Sequence, residues 1–246
     1  MGTLTKSGWW RVLLVAAVIA SVLAASYDPN PLPDFAKYQD VRQKKTAFFD
    51  YMLPLVKQAN EQLLADRSEL EQLASNGTEP FSASQLKTLK RFAKSYGFDT
   101  SANSDKLLKQ LLLRVDQIPP SLALAQAAIE SAWGTSRFAT EGNNLFGQWC
   151  YKKGCGIVPL RRNSGTNHEV AKYSTVAAAV GSYMKNINSH RAYSGLRKNR
   201  DKLRRAGKRV TGHKLAENLL HYSELREVYV REVQAVIRIN QLAEFD

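Results

Sequence analysis

Ala125-Gln-Ala-Ala-Ile-Glu-Ser-Ala-Trp-Gly134, followed by Asn143-Asn-Leu-Phe-Gly147, is the stretch on which the fold turns. Its first part is rich in alanine and carries no charge except Glu130. Leu122, Ala125, Ile129 and Ala132 fall on one helical face, while Ala123, Gln126, Ala127 and Trp133 share another with Glu130. A helix that is apolar nearly all round is a central one, so the spacing predicts a buried helix over 121–134. Ser121 reads as its N-cap and Gly134 as its stop.

Burying the charged form of Glu130 is unfavourable, and its place in the last turn sets it against the helix dipole. Both effects push its pKa upward and make a protonated acid available near neutral pH. Such an acid beside aromatic rings suits cleavage of a glycosidic bond. The helix alone is equally compatible with a structural ion pair to Arg114 or Arg137.

Outward from this helix the pattern is mainly α. Ile118-Pro119-Pro120 breaks the chain before it. Upstream, residues 27–33 form a Pro-rich linker. A helical pattern then runs from Asp34 to Ala74, with Pro54 expected to kink or divide it and Asn76-Gly77 to end it. Ser84 and Ser104 are expected to open two more helices, the first closed by Gly97. Downstream, glycines, Pro159 and both cysteines crowd 143–172, where 156–160 and 169–173 read as short strands of a small β-lobe. Helices are expected to return over 175–188, 215–221 and 223–241.

The N-terminus reads as a targeting segment. Lys6 and Arg11 precede an uncharged run, Val12–Ala25, whose length suits the apolar region of a signal peptide better than a bilayer span. Ala24-Ala25-Ser26 offers small residues for cleavage, and an uncleaved anchor is the alternative. Either way the rest of the chain is expected outside the cytoplasm, in the periplasm or cell envelope. The formal charge is +13, concentrated between Arg191 and Arg209. In an exported chain this favours a membrane surface or an anionic wall polymer over nucleic acid, and aromatic interleaving of the kind that reads single strands is absent. For most of these residues a solvated helix face is the plainer reading. Cys150 and Cys155 are expected to form a disulfide across a tight turn, because a metal site would lack a fourth ligand beside His168. No metal or other cofactor is called for, and His168, His190, His213 and His221 form no catalytic arrangement.

Residues 116–246 resemble the bacterial glucosaminidase domain of flagellar-type peptidoglycan hydrolases. The resemblance rests on Glu130-Ser-Ala-Trp-Gly-Thr-Ser136 and Asn144-Leu-Phe-Gly147, then more weakly on Tyr173-Ser174, Arg191-Ala-Tyr193, and Tyr222 with Tyr229. Over its length the chain is similar to the Bax-type subgroup, in which this domain follows a signal and a helical region. The resemblance implies a lysozyme-like helical domain with a small β-lobe walling a cleft, and three parts: 1–26 targeting, 27–115 N-terminal helices, 116–246 catalytic. It implies cleavage of β-1,4 bonds after N-acetylglucosamine in wall glycan, with Glu130 as general acid and Tyr222 as the active-site tyrosine. It also implies a second acid in the β-lobe. Glu169 is the first candidate, ahead of Glu141 and Glu224. Trp149, Phe146, Asn144 and Tyr193 are the candidate sugar contacts, and Trp133 fits either a subsite or the core. Two rival functions remain: a lytic transglycosylase, and a non-catalytic wall-binding protein that uses the basic segment and N-terminal helices.

Overall fold

The computed structural model describes residues 28–75, 80–160, 165 and 167–246. The expected targeting segment 1–26 and the Asn76-Gly77 stop lie outside the described residues. Among those described, no helix is long and apolar enough to cross a membrane.

The long N-terminal pattern resolves into two pieces. Asp34 caps a short 3-10 turn, Phe35–Lys37, and Asp40 accepts the Gln43 amide at 2.8 Å to start α1, Val41–Ser75. Pro54 neither ends nor divides this helix. It removes one backbone bond, but Met52, Leu55 and Val56 around it are buried, and their packing holds the turn together. Next come α2, Ala83–Ser95, and α3, Ser104–Arg114. Their caps lie one or two residues earlier than the sequence suggests. Ser82 forms a capping box with Gln85, and Asn103 accepts the Lys106 amide at 3.0 Å.

The central helix is α4, Pro120–Glu130, with Pro120 in its first turn. Ser121 does not cap it. Instead the Asp246 side chain reaches back and accepts from Ser121 N (2.9 Å), Ser121 Oγ (2.7 Å) and Gly212 N (2.8 Å). A carboxylate at a helix N-terminus is favoured by the exposed amides and the dipole. A Cβ at Gly212 would collide with the Ser121 hydroxyl, so glycine lets the chain at 212 close on α4.

After α4 come α5, Arg137–Gly142, and a three-stranded antiparallel lobe of β1, Trp149–Cys150, β2, Gly156–Ile157, and β3, Glu169–Ala171, with β3 in the middle. Cys150 pairs with Glu169 across the sheet, and Cys150 and Cys155 form the expected disulfide. Helices α6, Val176–Ser189, α7, Ser194–Arg205, α8, Gly212–Ala216, and α9, Glu227–Ile239, follow, with 3-10 turns at Arg191–Tyr193 and Leu242–Phe245. The architecture is mainly α with a small β-lobe, preceded by N-terminal helices, as the sequence indicates.

Two apolar cores share α1. Its first half, with Phe48, Met52 and Val56, packs into the cluster that also holds α4 and parts of α6 and α9. Its end, with Leu70 and Leu73, meets Leu89, Phe92, Leu107 and Leu111 of α2 and α3. Between them Asp116 is buried against Arg67, Arg200 and Arg204, the last at 2.7 Å. Arg200 also donates to the carbonyls of Leu113, Arg114 and Gln117 and to Asn188. Part of the basic segment therefore folds inward: Arg197 and Arg200 are buried, and Lys198, Lys202, Arg205, Lys208 and Arg209 remain exposed. A fully buried guanidinium is tolerable only with such a complete set of acceptors.

Candidate active site

The Glu130-to-Ser136 motif stops α4 and turns the chain away. Ala132, Trp133 and Gly134 take positive φ angles of 50, 60 and 79°. For the two non-glycine residues this costs about 1–2 kcal/mol each, and local bonds offset it. Ser131 Oγ donates to the Ala127 carbonyl (2.6 Å) and accepts the Gly134 amide (2.8 Å), while Ser136 caps α5. A Cβ at Gly134 would strike the Phe35 ring. Because the helix ends at Glu130, Trp133 leaves the face predicted for it. It packs edge-on against Phe48 and Phe49, with the Lys45 ammonium 4.8 Å from its ring centre, and belongs to the core with α1.

The second motif is a loop folded against that carboxylate. Asn144 is fully buried. Its amide donates to the Gln148 and Ala171 carbonyls, and its oxygen accepts the Phe146 and Gln148 amides. With all four positions engaged it shapes the loop, and it lies outside the groove lining. Phe146 stacks face to face on Tyr183, ring centres 4.1 Å apart, and is also buried, although its edge reaches the groove. Gly147, at φ 63°, sits where a Cβ would lie 3.1 Å from Glu130 Oε2. A side chain there would crowd the carboxyl.

Glu130 opens on a groove of about 1030 Å³. Trp149 and Tyr151 rise on the β-lobe side, Tyr193 and Tyr222 on the helical side, and Glu224 and Arg226 in the turn before α9. No described arginine pairs with Glu130. Arg114 lies over the Phe98 ring and donates to the Tyr96 carbonyl, and Arg137 donates to the Val158 carbonyl. Desolvation raises the Glu130 pKa, Glu232 adds to the rise, and a hydrogen bond from Tyr229 opposes it. Burial also raises the phenols nearby: Tyr193 to about 12, with Tyr183, Tyr222 and Tyr229 well above 10. All four remain protonated donors at working pH.

Tyr222 donates to the Phe146 carbonyl at 2.9 Å, stacks parallel on Tyr229, and meets Tyr193 at 5.9 Å. It thus ties the Gly147 loop to the helical wall. Trp149 is 56% exposed and stacked on His168, which leaves the rest of its indole free for a sugar face. The second acid differs most from expectation. Glu169 is buried in β3, outside the groove lining, and accepts the Gly154 and Gly156 amides at 2.9 and 2.8 Å, one on each oxygen. It braces the disulfide turn. Glu141 is exposed on α5, away from the groove. Glu224, ranked last from sequence, is the carboxylate that shares the groove lining with Glu130. Cys150, Cys155 and Glu169 lie together, but the sulfurs are bonded to each other and the carboxylate to amides, so they do not make a metal ligand set.

Sequence reasoning missed the buried bonds that Gln126 makes to Tyr183 and Tyr229. The signal was available for Gln126: it is a lone amide one turn before Glu130 on a helix with no wet face.

The glucosaminidase family pattern, described as mannosyl-glycoprotein endo-beta-N-acetylglucosaminidase, matches residues 106–242, a span that contains every groove residue. Protein bax of Escherichia coli (strain K12) is 36% identical over 213 residues, covering 86% of this chain and 75% of that protein. The crystal structure of the catalytic domain of the autolysin Auto from Listeria monocytogenes is similar with a TM-score of 0.40 at 18% identity, over 70% of this chain and 93% of that one.

Proposed function

The chain belongs to the glucosaminidase family, and on that premise we propose that it is a peptidoglycan hydrolase acting as an endo-β-N-acetylglucosaminidase, with Glu130 as general acid. The observation that carries this reading is a carboxyl with a raised pKa, free of cationic partners among the described residues, opening on an aromatic-walled groove. The protonated Glu130 gives its proton to the glycosidic oxygen as the bond to the anomeric carbon breaks. The Tyr229 phenol, which opposes the rise in the Glu130 pKa, favours the carboxylate that remains. Trp149 and Tyr193 offer faces and edges for pyranose rings, and Tyr222 holds the Gly147 loop against the acid. Glu224, which shares the groove lining with Glu130, is our candidate for the carboxylate that activates water. Without it the substrate's own acetamide is the remaining nucleophile.

The reading includes export to the cell envelope, with residues 1–26 as signal or anchor. The exposed lysines and arginines of 198–209 provide a surface toward anionic envelope components. Digestion of purified wall sacculi tests the function. New reducing-end N-acetylglucosamine, lost in Glu130→Gln, is the expected outcome. Anhydro-muramyl ends would replace the hydrolase with a lytic transglycosylase. Intact sacculi with saturable binding would leave a wall-binding protein.

A further inference from the structure

Resting on the peptidoglycan reading above, we propose that Lys185 determines substrate specificity. Its ammonium receives a carboxylate of the stem peptides that hang from wall glycan, so that peptide-bearing strands are bound in preference to bare ones.

Lys185 is the single charged residue of α6. With Ser182, Asn186 and Ser189, at helical spacing, it lies on the face of α6 that lines the groove. Hydroxyls and an amide suit uncharged sugars, and the ammonium is the exception among them. From this wall it reaches out to α2. Its Nζ donates to Ser95 Oγ at 2.8 Å and lies 3.1 Å from the centre of the Tyr96 ring. Neither of those residues lines the groove, so the charge is held at the margin, where α6 meets α2. A hydroxyl and a ring face fix the ammonium in place and leave its charge uncancelled. Among the described residues no carboxylate pairs with it. Burial lowers the Lys185 pKa to about 8, Asp66 opposes this from a distance while accepting from Gln62, and Arg114 adds to it. An ammonium that has lost water without gaining an anion stands to gain from one.

The rest of the groove narrows the choice of ligand. Its carboxylates are Glu130 and Glu224, and its cations are Lys185 and Arg226, with His190 and His221 beside them. When Glu130 carries the proton it needs as an acid, Glu224 is the remaining anion of the lining. Glu224 sits two residues from Arg226 in the turn before α9, which leaves Lys185 as the uncompensated charge. Bare glycan, being neutral, offers it nothing. In peptidoglycan alternate sugars carry short peptides whose carboxylates lie to the side of the strand. An ammonium at the margin of the groove is placed for such a group, and the pair would be a charge-assisted bond. Because Ser95 and Tyr96 belong to α2 and its cap, the N-terminal helices take part in setting what the catalytic part binds.

The test is equilibrium binding by the full chain carrying Glu130→Gln, so that affinity is read without turnover. The probes are soluble wall-glycan chains of matched length, with their stem peptides and after an amidase has removed them. The peptide-bearing chains are expected to bind about tenfold tighter, with the margin narrowing as salt is raised. Lys185→Met in the same background should remove the margin, and Lys185→Arg should keep most of it. Lys185→Gln, which can still donate to Ser95, carries the test should Lys185→Met fail to fold. A lysine that only tethers α6 to α2 would lower the Tm when replaced and leave the ratio of the two affinities unchanged. Equal binding of the two chains, or a margin that survives in folded Lys185→Met or Lys185→Gln, overturns the proposal, whatever happens to digestion. A margin that depends on Lys185, in a protein whose wild type leaves sacculi intact, would uphold the recognition and overturn the hydrolase reading instead.

Discussion

Replacing Glu130 by glutamine separates the chemistry of this side chain from its packing. The amide keeps the shape and cannot give up a proton, so turnover on sacculi should fall by about 100- to 10,000-fold with binding retained, as measured by reducing-end release and pelleting. The acid must be protonated to act, so wild-type kcat should decline as pH rises through the raised Glu130 pKa. Stability follows the same sign. The folded state holds this proton more tightly than the unfolded chain. Wild type therefore carries no penalty below the unfolded pKa of about 4.3 and loses stability as pH climbs through the folded value. Glu130→Gln lacks that loss, so its Tm should match wild type in acid and exceed it at neutral pH. Glu130 was legible in the sequence because it is a lone charge in an apolar helix. Glu224 was not, because its place depends on how the turn before α9 folds back to the groove.

At the scale of elements, the β-lobe shows why residue type and strand position can mislead about role. Glu169 sits where a second acid is expected, on a strand close to the motif residues. The signal against that role was two glycines, Gly154 and Gly156, whose amides converge on both of its oxygens. A Cβ at Gly156 would run into the Val170 carbonyl, so the turn admits no side chain there and approaches β3 closely. Glu169→Ala should therefore act on the lobe. Losing two charge-assisted bonds and leaving amides unpaired costs about 1–3 kcal/mol, read as a lower Tm and faster proteolysis between β1 and β3. Its effect on sacculi should fall on KM, through the Trp149 wall, with kcat largely kept. A collapse of kcat at unchanged Tm would return Glu169 to the catalytic set. Helix boundaries were legible only to within a turn, for a related reason. Periodicity located α4, but its end at Glu130 is set by Ser131 bonding Gly134 and by Trp133 seeking the α1 aromatics, contacts that span the fold.

For the whole molecule, the question is what α1 does for a site it does not line. Phe48, Met52 and Val56 are fully buried in the core that carries α4. Asn60 takes both backbone groups of Ile118, donating to its carbonyl at 2.8 Å and accepting its amide at 2.9 Å. Arg67 reaches Asp116 and the carbonyls of Leu112 and Val115. The strap that leads into the catalytic helix is therefore satisfied largely from α1. The sequence shows a helix there, but its amphipathic stripe does not name the partner, which is why the sequence alone sets 27–115 apart from the catalytic part. A fragment of residues 116–246 would expose the α4 surface that packs in one core with Phe48, Met52 and Val56, orphan the Ile118 peptide groups and leave Asp116 without one of its three arginines. Orphaned buried groups of this kind cost about 1–3 kcal/mol each, against a total stability of about 5–15 kcal/mol for a domain, before the lost apolar burial is counted. The fragment should bind hydrophobic dye, lack near-ultraviolet circular dichroism and leave sacculi intact, and residues 28–115 supplied as a second chain should restore all three. A cooperative melt and native circular dichroism from the fragment alone would mean that α1 only leans on the catalytic part, and that the groove is held by its own residues.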